Sequence, residues 1–332
     1  MRFLLITALL AGCAAAPDNP HLVQYEGSEG PGVGKHIVFL AGDHEYRSEE
    51  ILPAWARIMA RHYGFETSVF FTLDEEGFIE PGSSRIAGLD VLGDADLLVL
   101  GLRFQDFPEA EMQHIVDYLD RSGPVIGIRT STHAFAIEDG PHAHYAWNYQ
   151  GDDYHLGFGR QVLGETWAGH YGTNHEQASR LLVQEIEHPI LRGVTGGHVV
   201  SGGYEALPEP PFTVLVRGEV LNGMTADAPP DTTKELMPVA WTRTHGDDAR
   251  VFTTTHGASE DFLDPGFRRL LVNATLWAAG LEGEIHADGP IEFVGPYHPV
   301  EFAFDGYRLG VRPSELRGWD SPILPPDRPT EQ

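Results

Sequence analysis

Cysteine is almost absent from this chain, with Cys13 the only one among 332 residues. No internal disulfide can form, and because that single thiol sits in the leader, a thiol nucleophile is excluded from the folded part. Basic residues are scarce too. Lys and Arg number 22 against 49 Asp and Glu, and the formal charge of -27 repels nucleic acid and anionic lipid surfaces. Nucleic acid is therefore not expected as a partner. No GxGxxG follows the first apolar strand, so a phosphate-cradling glycine loop is not expected, and no HExxH occurs to mark a zinc-peptidase helix. No internal repeat is visible.

What is present suits a folded core. The apolar fraction of 42% and the length allow one large α/β domain or two small ones. The opening MRFLLITALLAGC carries one positive charge at Arg2 and an apolar run from Phe3 to Leu10, too short to cross a bilayer as a helix. It resembles a bacterial lipoprotein signal, with Leu10, Ala11 and Gly12 as the lipobox and cleavage before an acylated Cys13; the alternative is an ordinary signal cut after Ala16. Either way the mature chain is exported to the cell envelope, and in the first case it touches membrane only through its lipid. The expected division is a signal peptide over 1–12, a lipidated tether over 13–34, an α/β domain over 35–281 and an extended tail over 282–332 packed on it. In that tail Phe302, Phe304, Tyr307 and Trp319 are costly to leave in water.

Inside the domain, apolar runs alternate with helical periods. Strands are expected at His36 to Gly42, Glu66 to Phe71, Asp96 to Gly101 and Val125 to Ile128, then at Thr213 to Arg217, Pro238 to His245 and Arg250 to Gly257. Helices are expected at Ser48 to His62 behind a Ser48 cap, at Pro108 to Arg121 and at Pro265 to Gly280. Between Phe135 and Gly172 the sequence is rich in aromatics and histidine and reads as an insertion or lid. The alternation gives an α/β fold, a mainly parallel sheet with helices on both faces.

Polar clusters follow four of these strands and so converge on the carboxyl edge of the sheet, where open α/β folds bind ligands. They are Asp43, His44, Glu45, Tyr46 and Arg47; Arg103, Gln105 and Asp106; Arg129, Thr130, Ser131, Thr132 and His133; and Thr254, Thr255, His256, Ser259 and Glu260. His44 between two carboxylates serves general acid and base work or metal ligation, unless His44 and Glu45 merely cap the next helix. Arg103 and Arg129 fit a carboxylate, a phosphate or sugar hydroxyls, unless each pairs with an acid such as Asp106 or Glu45. His142, His144, His155, His170, His175 and His256 could join His44 or His133 on zinc or another divalent ion, against the commoner exposed loop histidine. GIRTS has the setting of a nucleophile elbow, yet Arg129 stands at the elbow position and cannot attack a carbonyl. Ser131 with His133 is the remaining nucleophile pair.

Several stretches in order, FLAGDHEYRSEE, LLVLGLRF, GIRTSTHAF, GFGRQVLGETWAGHYG and PVAWTRTHGDDARVFTTTHGASEDF leading to LLVNATLWAAG, resemble the ThuA-like family, named for trehalose utilisation, over about His36 to Gly280. The resemblance implies a flavodoxin-like, class I glutamine-amidotransferase-like fold without glutaminase activity, since the elbow cysteine is missing. It also implies a carbohydrate role: a hydrolase, lyase or isomerase acting on a disaccharide, keto-sugar or glycan fragment, or else a non-catalytic glycan-binding lipoprotein or complex subunit. Carried over by position, His44, Glu45, His133 and His170 are the candidate catalytic residues, with His44, His133 and His170 as the metal set. Asp43, Arg103, Arg129, Thr130, Trp147, Trp167 and His256 are the candidate substrate contacts, the tryptophans by stacking on a sugar face.

Overall fold

The computed structural model describes residues 19–323. The signal, the lipobox and Cys13 lie outside the described residues. In chain order the strands are β1 (Leu22–Glu26), β2 (His36–Gly42), β3 (Glu66–Phe71), β4 (Leu97–Leu102), β5 (Val125–Ile128), β6 (Ser179–Val183), β7 (Gly197–Val199), β8 (Thr213–Val220), β9 (Met237–His245) and β10 (Ala249–Thr254). The longer helices are α1 (Ser48–Tyr63), α2 (Glu109–Asp120) and α3 (Pro265–Ala278). All ten strands form one sheet in the order β1-β3-β2-β4-β5-β10-β9-β8-β6-β7.

Its centre, β3-β2-β4-β5-β10, is parallel throughout. Renumbered within that centre, the order is 2-1-3-4-5, the flavodoxin-like arrangement. The centre is the buried part: Ile37, Phe39, Leu97, Val99, Ile126 and Phe252 turn to the face covered by α1 and α3. Val38, Leu40, Leu98, Leu100, Val125 and Val251 turn to the other face, under α2 and Phe135, Phe158 and Leu163. Each such fully buried aliphatic side chain contributes about 1.5–3 kcal/mol of transfer free energy. Covering both faces is why these strands read as unbroken apolar runs.

Antiparallel strands extend the parallel centre at both edges. β9, β8, β6 and β7 follow β10, each antiparallel to its neighbour. On the far side β1 lies antiparallel to β3, Leu22 opposite Phe70 and Glu26 opposite Glu66. β1 lies within residues 13–34, where a tether is expected, and so corrects that expectation for Leu22–Glu26. Of its five residues Val23 and Tyr25 are buried in the core and Leu22 packs partly buried against the other face's cluster, too short an alternation to stand out between acids, glycines and prolines. Tyr25 is held further by its hydroxyl on Leu316 O at 2.8 Å and by the Arg57 guanidinium 5.1 Å from its ring centroid.

Ser48 is not the cap of α1. Arg47 holds that position in the left-handed region at φ 65°, while the Ser48 hydroxyl accepts from Asp43 N at 3.0 Å. After α3 the chain runs back across the α1 and α3 face, burying Phe302 and half-burying Tyr307 and Trp319. Phe304 stays 60% exposed, against the expectation that it is covered; it stands instead at the carboxyl edge of the sheet. Among the described residues no helix is long and apolar enough to cross a membrane.

Candidate functional site at the carboxyl edge

β2, β4, β5 and β10 end side by side, so the four polar clusters meet. The first turn is organised by Asp43. Its Oδ1 accepts the backbone N–H groups of Glu45 at 2.9 Å and Tyr46 at 3.2 Å; its Oδ2 accepts the Thr130 hydroxyl at 2.7 Å. Asp43 and Thr130, both expected as substrate contacts, are buried and use these groups to tie the end of β2 to the end of β5. Ser131 is structural in the same way. Its hydroxyl donates to Leu100 O at 2.7 Å and accepts from Leu102 N at 3.3 Å, so it is locked against β4 and makes no bond to His133. The Ser131 nucleophile reading fails on that geometry.

Arg103 joins His44 and Glu45. Its Nη1 lies 2.8 Å from His44 Nε2 and its Nη2 3.4 Å from Glu45 Oε2. A guanidinium only donates, so His44 Nε2 is bare and its proton sits on Nδ1. Burial first, then the Arg103 charge, lowers the His44 pKa. This imidazole is a fixed neutral acceptor rather than the proton carrier expected of it. Burial raises the Glu45 pKa, with Tyr46 and Arg103 opposing, which favours its protonated form more than in a solvated carboxyl.

Arg129 sits at the elbow with φ 48°. Its guanidinium is stacked between two tyrosines, 4.1 Å from the Tyr46 ring and 4.2 Å from the Tyr204 ring. Nη1 donates to Thr255 O at 2.8 Å and Nη2 to Asn174 Oδ1 at 3.3 Å. Among the described residues no carboxylate lies within ion-pair distance of it. Burial works against the charge, but the two tyrosines and Asp261 outweigh it and raise the pKa, so the cation persists without an acid partner.

Above Arg129 stands an aromatic wall. The His133 ring is 4.9 Å from Phe104, 5.5 Å from Trp167 and 5.6 Å from Tyr204; Trp147 lies 5.5 Å from Phe104 and 6.1 Å from Trp167. Burial, then Arg103 and Arg129, pushes His133 far down, so it is neutral. His170 is exposed at the rim, with its Nε2 3.1 Å from the Tyr46 hydroxyl. The covered side of its ring, then Arg129 and Arg103, lowers it to about 4. Phe304 completes the rim, 6.1 Å from the His44 ring and 4.9 Å from the Arg103 guanidinium.

His256 lies deeper, buried behind Arg129. Its Nδ1 meets Ser201 Oγ at 3.0 Å, and Ser201 in turn donates to Asp261 at 2.5 Å. Burial is the first cause that brings it down to about 4. It supports the Thr255 corner from within rather than touching a ligand at the rim.

The expected metal set does not assemble. Among the described residues no three of His, Cys, Asp and Glu are placed to hold an ion. His44 Nε2 is occupied by a guanidinium, His133 Nδ1 by Thr132 Oγ1 at 3.2 Å, and His170 Nε2 by Tyr46. Two nearby arginines also oppose a cation. His144 instead packs among Tyr145, Tyr149 and Tyr154, and His175 pairs with Glu301 at 3.0 Å. Zinc does not fit these residues.

A hollow of about 640 Å³ opens at the opposite, amino edge among Lys35, Asp94, Asp96, Arg121 and Arg250. Charges there are already spent on the fold, Lys35 on Asp96 at 3.2 Å and Arg250 on Glu282 at 2.7 Å. The convergence of aromatics and pKa-shifted groups makes the carboxyl edge the candidate site instead. Tyr46 belongs to the first polar cluster but carries no role read from sequence, and the sequence singles out none of Phe104, Asn174 and Tyr204. Tyr46 and Phe104 were visible beside the chosen residues; Asn174 and Tyr204 lie in irregular segments with no period to place them.

The ThuA family profile, described as trehalose utilisation, matches residues 38–278. Among solved structures, a ThuA-like protein of Parabacteroides merdae is 15% identical with a TM-score of 0.46, covering 82% of this chain and 95% of that one. A ThuA-like protein of Bacteroides uniformis is also 15% identical, with a TM-score of 0.48 and coverage of 76% and 93%. No curated protein matches the chain.

Proposed function

The chain belongs to the ThuA family, linked to trehalose utilisation, and from that premise we propose that it is a carbohydrate-active enzyme of the hydrolase, lyase or isomerase type. Its substrate is a disaccharide, keto-sugar or glycan fragment seated at the carboxyl edge of the sheet. One observation carries the reading: aromatic faces and charged, pKa-shifted groups share that edge. A sugar presents flat C–H faces to rings and hydroxyls to hydrogen-bonding groups. Phe104, Trp147, Trp167 and Phe304 supply the first surface, and Arg103, Glu45 and His170 the second.

In this reading Glu45 exchanges the proton. Its buried carboxyl, raised in pKa by burial and next to Arg103, has the character of a general acid or base. Arg103 holds its orientation while fixing His44, and neutral His133 backs the aromatic wall. We further propose that the protein is exported and anchored through Cys13.

The second reading, glycan binding without chemistry, is favoured by the openness of the rim, where Phe304 is 60% exposed. Incubation with trehalose and its keto derivative, with products followed by chromatography, separates the two. Turnover by the native chain that falls at least about a hundredfold in Glu45→Gln, with binding kept, supports the enzyme. Binding without turnover leaves the glycan-binding protein, and absence of binding refutes both.

A further inference from the structure

Arg129, Asn174, Tyr46 and His170 form one chain of hydrogen bonds running from the buried floor to the rim. Arg129 Nη2 donates to Asn174 Oδ1 at 3.3 Å, Asn174 Nδ2 donates to the Tyr46 hydroxyl at 2.8 Å, and that hydroxyl meets His170 Nε2 at 3.1 Å. The first link has one polarity, because a guanidinium has no acceptor. It assigns the Asn174 oxygen and therefore its NH2 group, which donates onward. Having accepted from Asn174, Tyr46 has its own proton to place, and the bonded group opposite is His170 Nε2. The chain therefore ends with His170 bare at Nε2 and protonated at Nδ1.

We propose that this relay makes His170 an electropositive N–H donor at the rim rather than a base, and that the group it receives is a carboxylate carried by a sugar. Every dipole in the relay points the same way, from a buried cation toward solvent, and chains of this kind polarise one another. Arg129 makes no ion pair among the described residues, Asp261 and Glu45 acting on it only from beyond ion-pair distance, and the charges that act on the His170 ring are Arg129 and Arg103, with no carboxylate among them. A neutral hydroxyl gains little from such a terminus. An anionic oxygen gains a charge-assisted bond. The proposal rests on the sugar reading for its ligand and not for its relay. Tyr46, Asn174 and Arg129 are positioning residues here; of these four, only His170 touches the ligand.

Glu45 is the competing acceptor for the Tyr46 proton, since the hydroxyl lies near enough to draw its pKa down. Were the proton to go there, His170 would donate from Nε2 and expose a bare Nδ1, a base. Two-bond 15N–1H spectra of the full chain, labelled at histidine and assigned with His170→Asn, distinguish the two tautomers at pH 7. The proposal expects Nδ1–H in the native protein and a loss of that preference in Tyr46→Phe, which removes one oxygen from a buried ring that otherwise stays. An Nε2–H tautomer overturns it.

The ligand is tested separately by calorimetric titration with glucuronate and with glucose. Glucuronate should bind about tenfold tighter, the gap closing to within about threefold in Tyr46→Phe. Equal affinities in the native chain, or no binding of either sugar, overturn the carboxylate assignment. In the second case the sugar reading of the site falls with it, while the tautomer still decides whether the relay runs as described.

Discussion

Glu49 and Glu50 open α1 in full burial beneath the strap that carries Phe304, and they set how stability depends on pH. Beyond its own backbone N–H the Glu49 carboxyl has no hydrogen-bond partner, and Arg47 is 3.8 Å away. Burial raises its pKa from 4.5 to about 7, with Arg47 opposing and Asp43 adding to the rise. Glu50 is raised too, by burial and by Glu49, although its Oε2 accepts Val300 N at 3.0 Å. A carboxyl whose folded pKa lies above its unfolded one binds more protons in the native state, so stability falls as pH rises. For Glu49 the loss begins near pH 4.5 and is complete above about 7, and a shift of that size corresponds to about 3 kcal/mol. Glu49→Gln removes the ionisation while keeping the shape. Urea unfolding at pH 5 and pH 8 should show the variant gaining up to about 3 kcal/mol on the native chain between the two conditions. A difference between the two proteins that stays flat from pH 5 to pH 8 refutes the reasoning.

Ser131→Ala removes a hydroxyl that bridges two backbone groups of β4; urea unfolding should show a loss of about 1–3 kcal/mol, with kcat on any turned-over sugar changed less than about threefold. A collapse of kcat at unchanged stability would restore Ser131 as nucleophile. Phe304→Ala acts at an exposed side chain, so unfolding should move by no more than about 0.5 kcal/mol, whereas sugar affinity by calorimetry should fall about five- to tenfold. An excess of chelator should leave the thermal midpoint within about 1 °C, because among the described residues no ligand set is gathered; a drop of several degrees, restored by zinc, would contradict this.

The parallel centre was legible because burial on both faces forces continuous apolar runs such as HIVFLAG and DLLVLG, and the helices between them kept their period. The wing was less so. β6 and β7 are short and half-covered, so their residues carried no alternation long enough to mark a strand, and β1 disappeared into what read as a tether. At the site, strand ends announced the right neighbourhoods but not the partners. Nothing in the sequence places Tyr204 opposite Arg129, since that contact joins a turn after β7 to the elbow after β5. Nor does a histidine count show that Arg103 occupies His44 Nε2. Those facts decide between a metal site and a metal-free one, and they depend on tertiary geometry alone.

The claim on which the rest depends is that sugar binds at the carboxyl edge, against Trp147 and Trp167. Tryptophan fluorescence of the native chain, titrated with trehalose and with its keto derivative, tests it most directly when repeated on Trp167→Phe. The expected result is a saturable change with at least one of the two sugars that is lost or much reduced in the variant. A saturable change of unaltered size in Trp167→Phe, or no change with either sugar in the native chain, would contradict the account.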